Sequence, residues 1–295
     1  MPDKEQIIEV ESLPLEIISG AAYLIKQANP NSYTHGMFKY PCKFIPEIPR
    51  WGVNTFLPDK KGTIFDPFSG SGTTLLEANV YGMDAYGTEI DDIAKLIIKV
   101  KTTVLNSQKV EVLEQEYFKI MEIMQQDMTE QFRPKIANLE HWFSENAIAE
   151  LGRMKMYIDN ICDADVRDFF KLCMVSIIKR VSNADDTSPK PYVSNKVKKV
   201  PPAVTREFTS VFRRYKQMMT ELSGIEKMGN TRLIEGDALT FQMPVGIDLA
   251  ITSPPYINAF DYGRTMRLEN LWMATLTEEE LREKKSRYVG TEKIN

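Results

Sequence analysis

The stretch FDPFSGSGTTLLEA, residues 65–78, decides which fold the sequence predicts. Gly70 and Gly72 follow an apolar, strand-like segment, and such a glycine-rich turn before a helix points backbone N–H groups at a ligand. The turn lacks the lysine of a triphosphate-binding loop, and Leu75 stands where a dinucleotide-binding loop has its third glycine. Asp66 at the mouth of the loop would repel a pyrophosphate. The loop therefore favours a ligand that carries positive charge.

The order of elements around this loop predicts a doubly wound α/β fold. TIFDPF has the pattern of a buried strand, residues 74–79 that of a helix, and AYGTEI that of a second strand before a helix capped by Asp91 or Asp92. A βαβα order predicts a parallel sheet with its ligand at the carboxyl ends of the strands. RLIEGDAL and DLAITSPPY predict two further strands.

A helical insert interrupts this alternation. Between about Leu105 and Asn230 the apolar residues recur at helical spacing, which predicts helices with core-facing stripes. The chain therefore divides into a first part of a Rossmann-like domain with its N-terminal segment, a largely helical insert, and a second part of the domain. These are residues 1–104, 105–230 and 231–295. Prolines 41, 46 and 49 predict an ordered loop with short extended pieces over residues 34–50.

Composition excludes several classes of protein. The 295 residues are 43% hydrophobic and 26% charged, and no apolar run approaches the length of a membrane span. The N-terminus lacks a basic segment followed by an apolar one, so we expect a cytoplasmic protein. Three cysteines without a CxxC pair and two isolated histidines argue against a disulfide framework and against a metal site.

The positive charge is concentrated in one segment of the insert. The net charge is −4, yet residues 179–216 contain ten basic and three acidic residues. Such a segment suits contact with a phosphate backbone. A solvated surface in an otherwise acidic protein is the alternative.

A second motif connects the glycine loop to a known family. The last predicted strand ends in TSPPY, residues 252–256. FDPFSGSGTT followed at a distance by TSPPY resembles the amino-group DNA methyltransferases that use S-adenosylmethionine. The resemblance implies that the loop holds the methionine portion and the ribose of this cofactor, whose positive charge Asp66 tolerates.

The resemblance also implies the other cofactor contacts. Glu89, 19 residues after Gly70, matches the acid that accepts hydrogen bonds from the ribose, and Asp237 resembles the residue that contacts the adenine. KYPCKFIPE resembles the remaining cofactor segment, with a docked loop as its ordinary alternative. The expected cofactor-binding residues are Tyr40, Pro41, Phe44, Asp66, Pro67, Phe68, Gly70, Gly72, Thr73, Glu89 and Asp237.

The SPPY motif implies the chemistry. An exocyclic amine of cytosine or adenine is a poor nucleophile because its lone pair is conjugated into the ring. Hydrogen bonds from that amine to Ser253 and to the carbonyl of Pro254 would aim the lone pair at the methyl group, and Pro255 would stiffen the loop. Tyr256 offers a face on which a flipped-out base can stack.

Ser253 and the motif order indicate the substrate. SPPY is typical of N4-cytosine enzymes, whereas Asp or Asn in place of Ser253 is typical of N6-adenine enzymes. We therefore favour cytosine N4, with adenine N6 as the alternative and RNA guanine N2 as a more distant one.

The motif order places target recognition in the insert, or else the insert is a helical subdomain with recognition elsewhere. Candidate contacts with double-stranded DNA are Lys190, Lys196, Lys198 and Lys199.

The C-terminal segment departs from the family pattern. Only 39 residues follow Tyr256, and they predict one or two helices where the family has three more strands. We expect either a front portion of a longer protein or a second chain that completes the sheet. An incomplete or non-catalytic subunit of a split methyltransferase is therefore an alternative. A Rossmann oxidoreductase is disfavoured by the missing third glycine and by Asp66.

Overall fold

The computed structural model of the protein describes residues 7–26, 29–43, 45–126, 130–196, 198–255 and 261–289. The central sheet contains four parallel strands in the order β5-β4-β3-β6. These strands are β3 Thr63–Asp66, β4 Asp84–Gly87, β5 Thr231–Leu233 and β6 Leu249–Ala250. A separate pair of parallel strands comprises β1 Ile7–Val10 and β2 Ala22–Ile25. The predicted α/β class with parallel strands is confirmed.

Eleven helices accompany the strands in the described part of the chain. They are α1 Glu47–Phe56, α2 Thr73–Val80, α3 Asp92–Thr102, α4 Ser107–Gln125, α5 Leu139–Trp142, α6 Glu145–Asp159, α7 Ala164–Val181, α8 Val204–Ser223, α9 Tyr262–Thr265, α10 Arg267–Met273 and α11 Glu278–Lys285. Among these described helices, we find none with the length and apolar character needed to cross a bilayer. Helices α4 to α8 lie in the range predicted as an insert, whose boundaries stay a prediction.

Strand β3 lies at the point where the direction of winding changes. Phe65 on β3 pairs with Tyr86 of β4 on one side and with Ala250 of β6 on the other. The chain thus winds from β3 outward in both directions, and ligands of such sheets bind outside the carboxyl ends of the strands at this point. Both predicted motif loops begin here, since one follows β3 and the other follows β6.

The N-terminal segment differs in part from its prediction. Residues 34–43 and 45–46 form a loop that contains turns and no paired strand, and the expected short extended pieces stay a prediction. Helix α1 begins at Glu47 and includes the last four residues of the predicted loop. Pro49 is the third residue of α1, where an N–H group would have no partner within the helix, so a proline is tolerated there.

The helices of the insert form most of the larger apolar core. The apolar stripe of α8 faces the core as predicted, because its six members are buried: Phe208, Val211, Phe212, Tyr215, Met219 and Leu222. Tyr117 of α4 stacks on Phe212 of α8 with ring centroids 4.2 Å apart. The hydroxyl oxygen of Tyr215 on α8 also accepts a hydrogen bond of 2.7 Å from the backbone N–H of Phe38. The insert therefore supports the N-terminal segment.

A buried carboxylate anchors the N-terminal segment to the helix that follows the glycine loop. Glu77 of α2 lies 2.9 Å from Nε2 of His35 and accepts hydrogen bonds of 3.1 and 2.9 Å from Nε and Nη2 of Arg50. Burial opposes the ionised carboxylate, but the hydrogen bonds from His35 and Arg50 outweigh it and lower the pKa of Glu77. Burial lowers the pKa of His35 to about 4 despite the bond to Glu77.

We predict that Glu77→Ala destabilises the protein by about 3 kcal/mol, because it leaves the partners of a buried carboxylate unpaired. Equilibrium unfolding in urea at pH 7 measures this loss. The matched control is Glu122→Ala on the exposed surface of α4, which should change the free energy of unfolding by less than about 0.5 kcal/mol. Equal effects of the two substitutions would contradict the anchoring role of Glu77.

Candidate functional site

A cleft lies beyond the carboxyl ends of the strands. Its volume is about 800 Å³, including the open space at its mouth. Six separate stretches of the chain contribute side chains to it, among them the glycine loop and the SPPY segment. The structure brings together ten of the residues selected from the sequence: Tyr40, Pro41, Pro67, Phe68, Gly70, Thr73, Glu89, Asp237, Ser253 and Pro255.

The two glycines have different structural roles. Gly70 has φ 50° and lines the cleft, and a Cβ atom on it would lie 3.3 Å from Cε1 of Tyr40. Gly72 has φ 75° and is the residue that caps the start of α2. A Cβ atom at Gly72 would lie 3.0 Å from Ile98 of α3, outside the cleft lining. Both positions require the left-handed conformation that glycine adopts without strain.

A buried lysine holds the glycine loop from behind. The side chain of Lys101 on α3 is fully buried, and its Nζ donates a 2.7 Å hydrogen bond to the carbonyl of Ser71. The Thr34 hydroxyl donates a 2.7 Å hydrogen bond to the Lys101 carbonyl, so the same residue also fixes the N-terminal segment. Burial, with a smaller effect from Lys43, lowers the pKa of Lys101 to about 7.

Glu89 closes the opposite side of the loop. One carboxylate oxygen accepts a 2.9 Å hydrogen bond from the backbone N–H of Gly70, and the other accepts bonds of 2.8 Å from the N–H groups of Ile90 and Asp91. Burial raises the pKa of Glu89 to about 7 against these backbone donors. The first of these oxygens, which accepts only the Gly70 bond, has a lone pair left, so Glu89 can still accept a hydrogen bond from a ligand in the cleft.

Asp66 lies behind the cleft and not in its lining. Its Oδ1 accepts hydrogen bonds of 2.6 Å from the Thr252 hydroxyl and 3.0 Å from the N–H of Phe68. Burial raises the pKa of Asp66 to about 6 against these two bonds. Because β3 and β6 are neighbours, Asp66 at the end of β3 reaches Thr252 and connects the two motif loops. Its expected contact with a charged ligand stays a prediction.

The SPPY segment is described as far as Pro255. Ser253 and Pro255 line the cleft, whereas Pro254 is exposed and lies outside the lining. The predicted roles of Tyr256 and Phe44 concern positions outside the described residues.

Sequence reasoning missed three residues at the C-terminal end of the described chain that line the cleft, Arg287, Tyr288 and Val289. Arg287 lies 3.7 Å from the carboxylate of Asp237, and the Tyr288 hydroxyl donates a 2.9 Å hydrogen bond to Asp91. Hydrogen bonds from the Leu239 N–H and the Thr240 hydroxyl lower the pKa of Asp237. No sequence signal marks residues 287–289, because they follow an ordinary polar helix and reach the cleft only through the tertiary fold.

The basic loop of the insert separates into engaged and exposed lysines. The Nζ of Lys199 lies 2.8 Å from Asp186 and donates to the carbonyls of Lys179 and Ala184 at 3.2 and 3.0 Å. This lysine therefore stabilises the loop. Lys190 is half-buried, and Lys196 and Lys198 are exposed.

The strand order and the position of the cleft define a doubly wound α/β protein with a cleft at the switch point of the sheet. Residues 17–100 match the family model described as DNA methylase. The chain is 27% identical to the Type II methyltransferase M.MvaI of Kocuria varians, over 92% of the chain and 64% of that relative. It is also 27% identical to the Type II methyltransferase M.BsoBI of Geobacillus stearothermophilus, over 87% of the chain and 56% of that relative.

These matches confirm the resemblance drawn from the motifs: the chain is similar to the amino-group DNA methyltransferases of the N4/N6 type. A third relative, the Type II methyltransferase M.MjaII of Methanocaldococcus jannaschii, is 31% identical over 29% of the chain and 16% of its own length. The chain spans less than two thirds of the length of each of these three relatives. No solved structure shows significant similarity to the chain.

We predict that Lys101→Met removes a pH dependence of stability. The pKa of Lys101 falls from 10.5 to about 7 on folding, so between these values the unfolded chain binds one more proton than the folded protein. Rising pH therefore favours the folded wild type in this window, by up to about 1.4 kcal/mol per pH unit. The variant should lack this increase.

Urea unfolding at pH 7, 8 and 9 measures the effect. Lys99→Met on the same helix is the matched control, because Lys99 is half-exposed and pairs with Asp168. A variant Lys101→Met that follows the wild-type pH profile would show that this lysine is not the group that titrates.

Proposed function

We propose that the protein transfers a methyl group from S-adenosylmethionine to an exocyclic amine of double-stranded DNA, at cytosine N4. The observation that carries this proposal is the position of Ser253 and Pro255 in the same cleft as the glycine loop and Glu89. A target amine held at Ser253 would therefore lie next to a cofactor held by the loop. The kinship with Type II methyltransferases supports DNA as the substrate.

The lining of the cleft suits a cationic nucleoside. The carboxylates of Glu89 and Asp237 lie in the lining together with the aromatic side chains of Tyr40 and Phe68. The described lining also contains two cationic side chains, and both are engaged. Lys43 donates a 2.7 Å hydrogen bond to the carbonyl of His35, and Arg287 lies beside Asp237. A phosphate in the cleft would be repelled by these carboxylates, and neither cationic side chain would be free to pair with it. A sulfonium or an ammonium group would instead be attracted by the carboxylates.

Each part of the cleft has a distinct proposed task. When bound, S-adenosylmethionine supplies an electrophilic methyl group. Glu89 accepts hydrogen bonds from the ribose hydroxyls, and Asp237 contacts the adenine. The loop from Pro67 to Thr73 surrounds the methionine portion, together with Tyr40 and Pro41. Asp66 joins Thr252 to the start of the glycine loop, so it fixes the distance between the two motif loops.

Catalysis in this proposal is mainly a matter of position. The Ser253 hydroxyl and the Pro254 carbonyl accept hydrogen bonds from the target amine, which makes its nitrogen more tetrahedral and directs its lone pair toward the methyl group. Tyr256 stacks on the target base after the base has left the duplex. Neither a covalent enzyme intermediate nor a metal is part of this mechanism.

Lys190, Lys196 and Lys198 are proposed to contact DNA, while the bonds of Lys199 indicate a structural role for that residue. Adenine N6 is the second candidate acceptor, because the family matches include both types of amine. A C-terminal half or a second chain that completes the sheet stays a prediction.

We predict that Ser253→Ala reduces methyl transfer about 100-fold, the usual cost of losing one hydrogen-bonding group that orients a transition state. The rate of transfer is measured as radiolabel that passes from S-adenosylmethionine to mixed genomic DNA. Mass spectrometry of the digested nucleosides identifies the product. The control Ser12→Ala removes an exposed hydroxyl far from the motif in sequence and should leave the rate unchanged. N6-methyladenine as the product would change the acceptor base, and cofactor binding without any transfer by the wild type would contradict the proposed activity.

We predict that Glu89→Gln weakens binding of S-adenosylmethionine about tenfold, since an uncharged amide replaces a charge-assisted hydrogen-bond acceptor. Isothermal titration calorimetry at pH 8 measures the dissociation constant. Glu111→Gln, on the exposed surface of α4, is the control for the loss of one carboxylate. Unchanged affinity in a folded Glu89→Gln variant would exclude the ribose contact.

A further inference from the structure

Helix α8 has an exposed cationic surface, which lies at the C-terminal end of the basic segment 179–216. Arg206, Ser210, Arg213 and Gln217 are exposed, and their spacing of four, three and four residues places them on one side of the helix. The buried residues of α8, including Phe208, Tyr215 and Met219, lie on the opposite side. We call the exposed side, with the adjacent Arg214, the α8 arginine surface.

The arginines of this surface have no acidic partner in the described structure. Arg206, Arg213 and Arg214 lack a carboxylate within ion-pair distance among the described residues. Two neighbouring cationic side chains, in contrast, are paired with carboxylates. Arg180 of α7 is paired with Asp186 and Glu207, and Lys216 of α8 is paired with Glu114. The acids of this region thus neutralise other cations and leave the α8 arginine surface positive.

The surface also offers a groove of suitable chemistry. A shallow, open groove between α4 and α8 is lined by the three arginines, Met121, Gln217 and hydroxyl side chains, with no acid among its described lining residues. Ser210 is exposed within it, while the Thr209 hydroxyl lies 2.9 Å from that of Tyr117. Guanidinium and hydroxyl groups are the side chains that most often bind phosphate oxygens.

We propose that the α8 arginine surface binds the phosphodiester backbone of DNA, through Arg206 and Arg213. These residues are seven positions apart, so their Cα atoms are separated by about 10 Å along the helix axis. The surface continues the basic loop, because α8 begins at Val204, a few residues after Lys198 and Lys199. This proposal rests on the proposed function, since it assigns a second contact for the DNA that the cleft would methylate.

The α8 arginine surface is suited to contact the phosphate backbone of DNA and not to read its bases. Phosphate contacts set the position of a protein on the duplex, and they release counterions, so each contact adds about −0.9 to the slope of log affinity against log salt. Loss of two positive charges elsewhere on the protein lowers the net charge by the same amount but removes no contact with these phosphates. A phosphate contact therefore predicts an effect specific to Arg206 and Arg213.

The test compares two double variants of the full chain that each remove two positive charges. Arg206→Ala/Arg213→Ala changes the α8 arginine surface. Lys26→Ala/Arg133→Ala is the matched control, because Lys26 pairs with Glu9 and Arg133 with Glu140 and Glu145. Fluorescence anisotropy with a labelled 20-base-pair duplex, with cofactor present, measures the dissociation constant from 50 to 200 mM NaCl.

We expect the α8 variant to lose about 1.8 from the magnitude of the salt slope and to bind at least tenfold more weakly at 50 mM NaCl, while the control keeps the wild-type slope. Wild-type binding by the α8 variant, or equal losses in both variants, would overturn the proposal. Absence of DNA binding by the wild type would overturn it as well. Circular dichroism and cofactor binding confirm that each variant is folded.

The methyl-transfer assay distinguishes this failure from failure of the proposed function. If the wild type methylates DNA and the α8 variant has the same salt slope as the wild type, only the contact at α8 is wrong. If the wild type binds DNA through α8 but transfers no methyl group, the surface is correct and the proposed activity is wrong.

Discussion

The parallel pairing of β3 with both β4 and β6 is the constraint on which the cleft depends. Parallel strands present their carboxyl ends at one edge, so the loops after β3, β4 and β6 must meet there. The glycine loop, Glu89 and Ser253 are far apart in sequence and become neighbours for this reason. The hydrogen bond from Thr252 to Asp66 then fixes two of these loops to each other. The sheet brings the three loops close together, and the hydrogen bond fixes the loop after β6 relative to the loop after β3.

Buried polar side chains hold the loops from behind. Glu77 and Lys101 are both fully buried, one on α2 and the other on α3, and both contact the N-terminal segment that carries Tyr40. A lysine or a carboxylate without partners would be too costly to bury, and here Glu77 is paired with His35 and Arg50, and Lys101 with the carbonyl of Ser71. Rigidity of the cleft thus comes from directional hydrogen bonds in addition to apolar packing, and the glycines allow the loop to follow them.

The sequence predicted the α/β class and ten of the cleft residues, because motifs at the ends of parallel strands have a fixed place in the fold. Other features depend on tertiary contacts without local signals. Asp66 has its hydrogen-bond partner 186 positions away, and this partner draws it out of the cleft lining. Lys199 belongs to a run of lysines, yet Asp186 and two carbonyls engage it. Arg287 and Tyr288 reach the cleft only because α11 packs against α9.

The bond between Tyr215 and Phe38 affects how this protein can diverge. The residues that hold the N-terminal segment in place include Tyr215 of α8, and Phe38 is only two positions from Tyr40, which lines the cleft. A replacement of the insert helices by those of a relative would lose this support unless the new helix supplied an equivalent hydroxyl. The helices of the insert are consequently not structurally independent of the N-terminal segment. Because the donor is a backbone N–H, the constraint falls on the hydroxyl group at position 215 and not on the side chain at position 38.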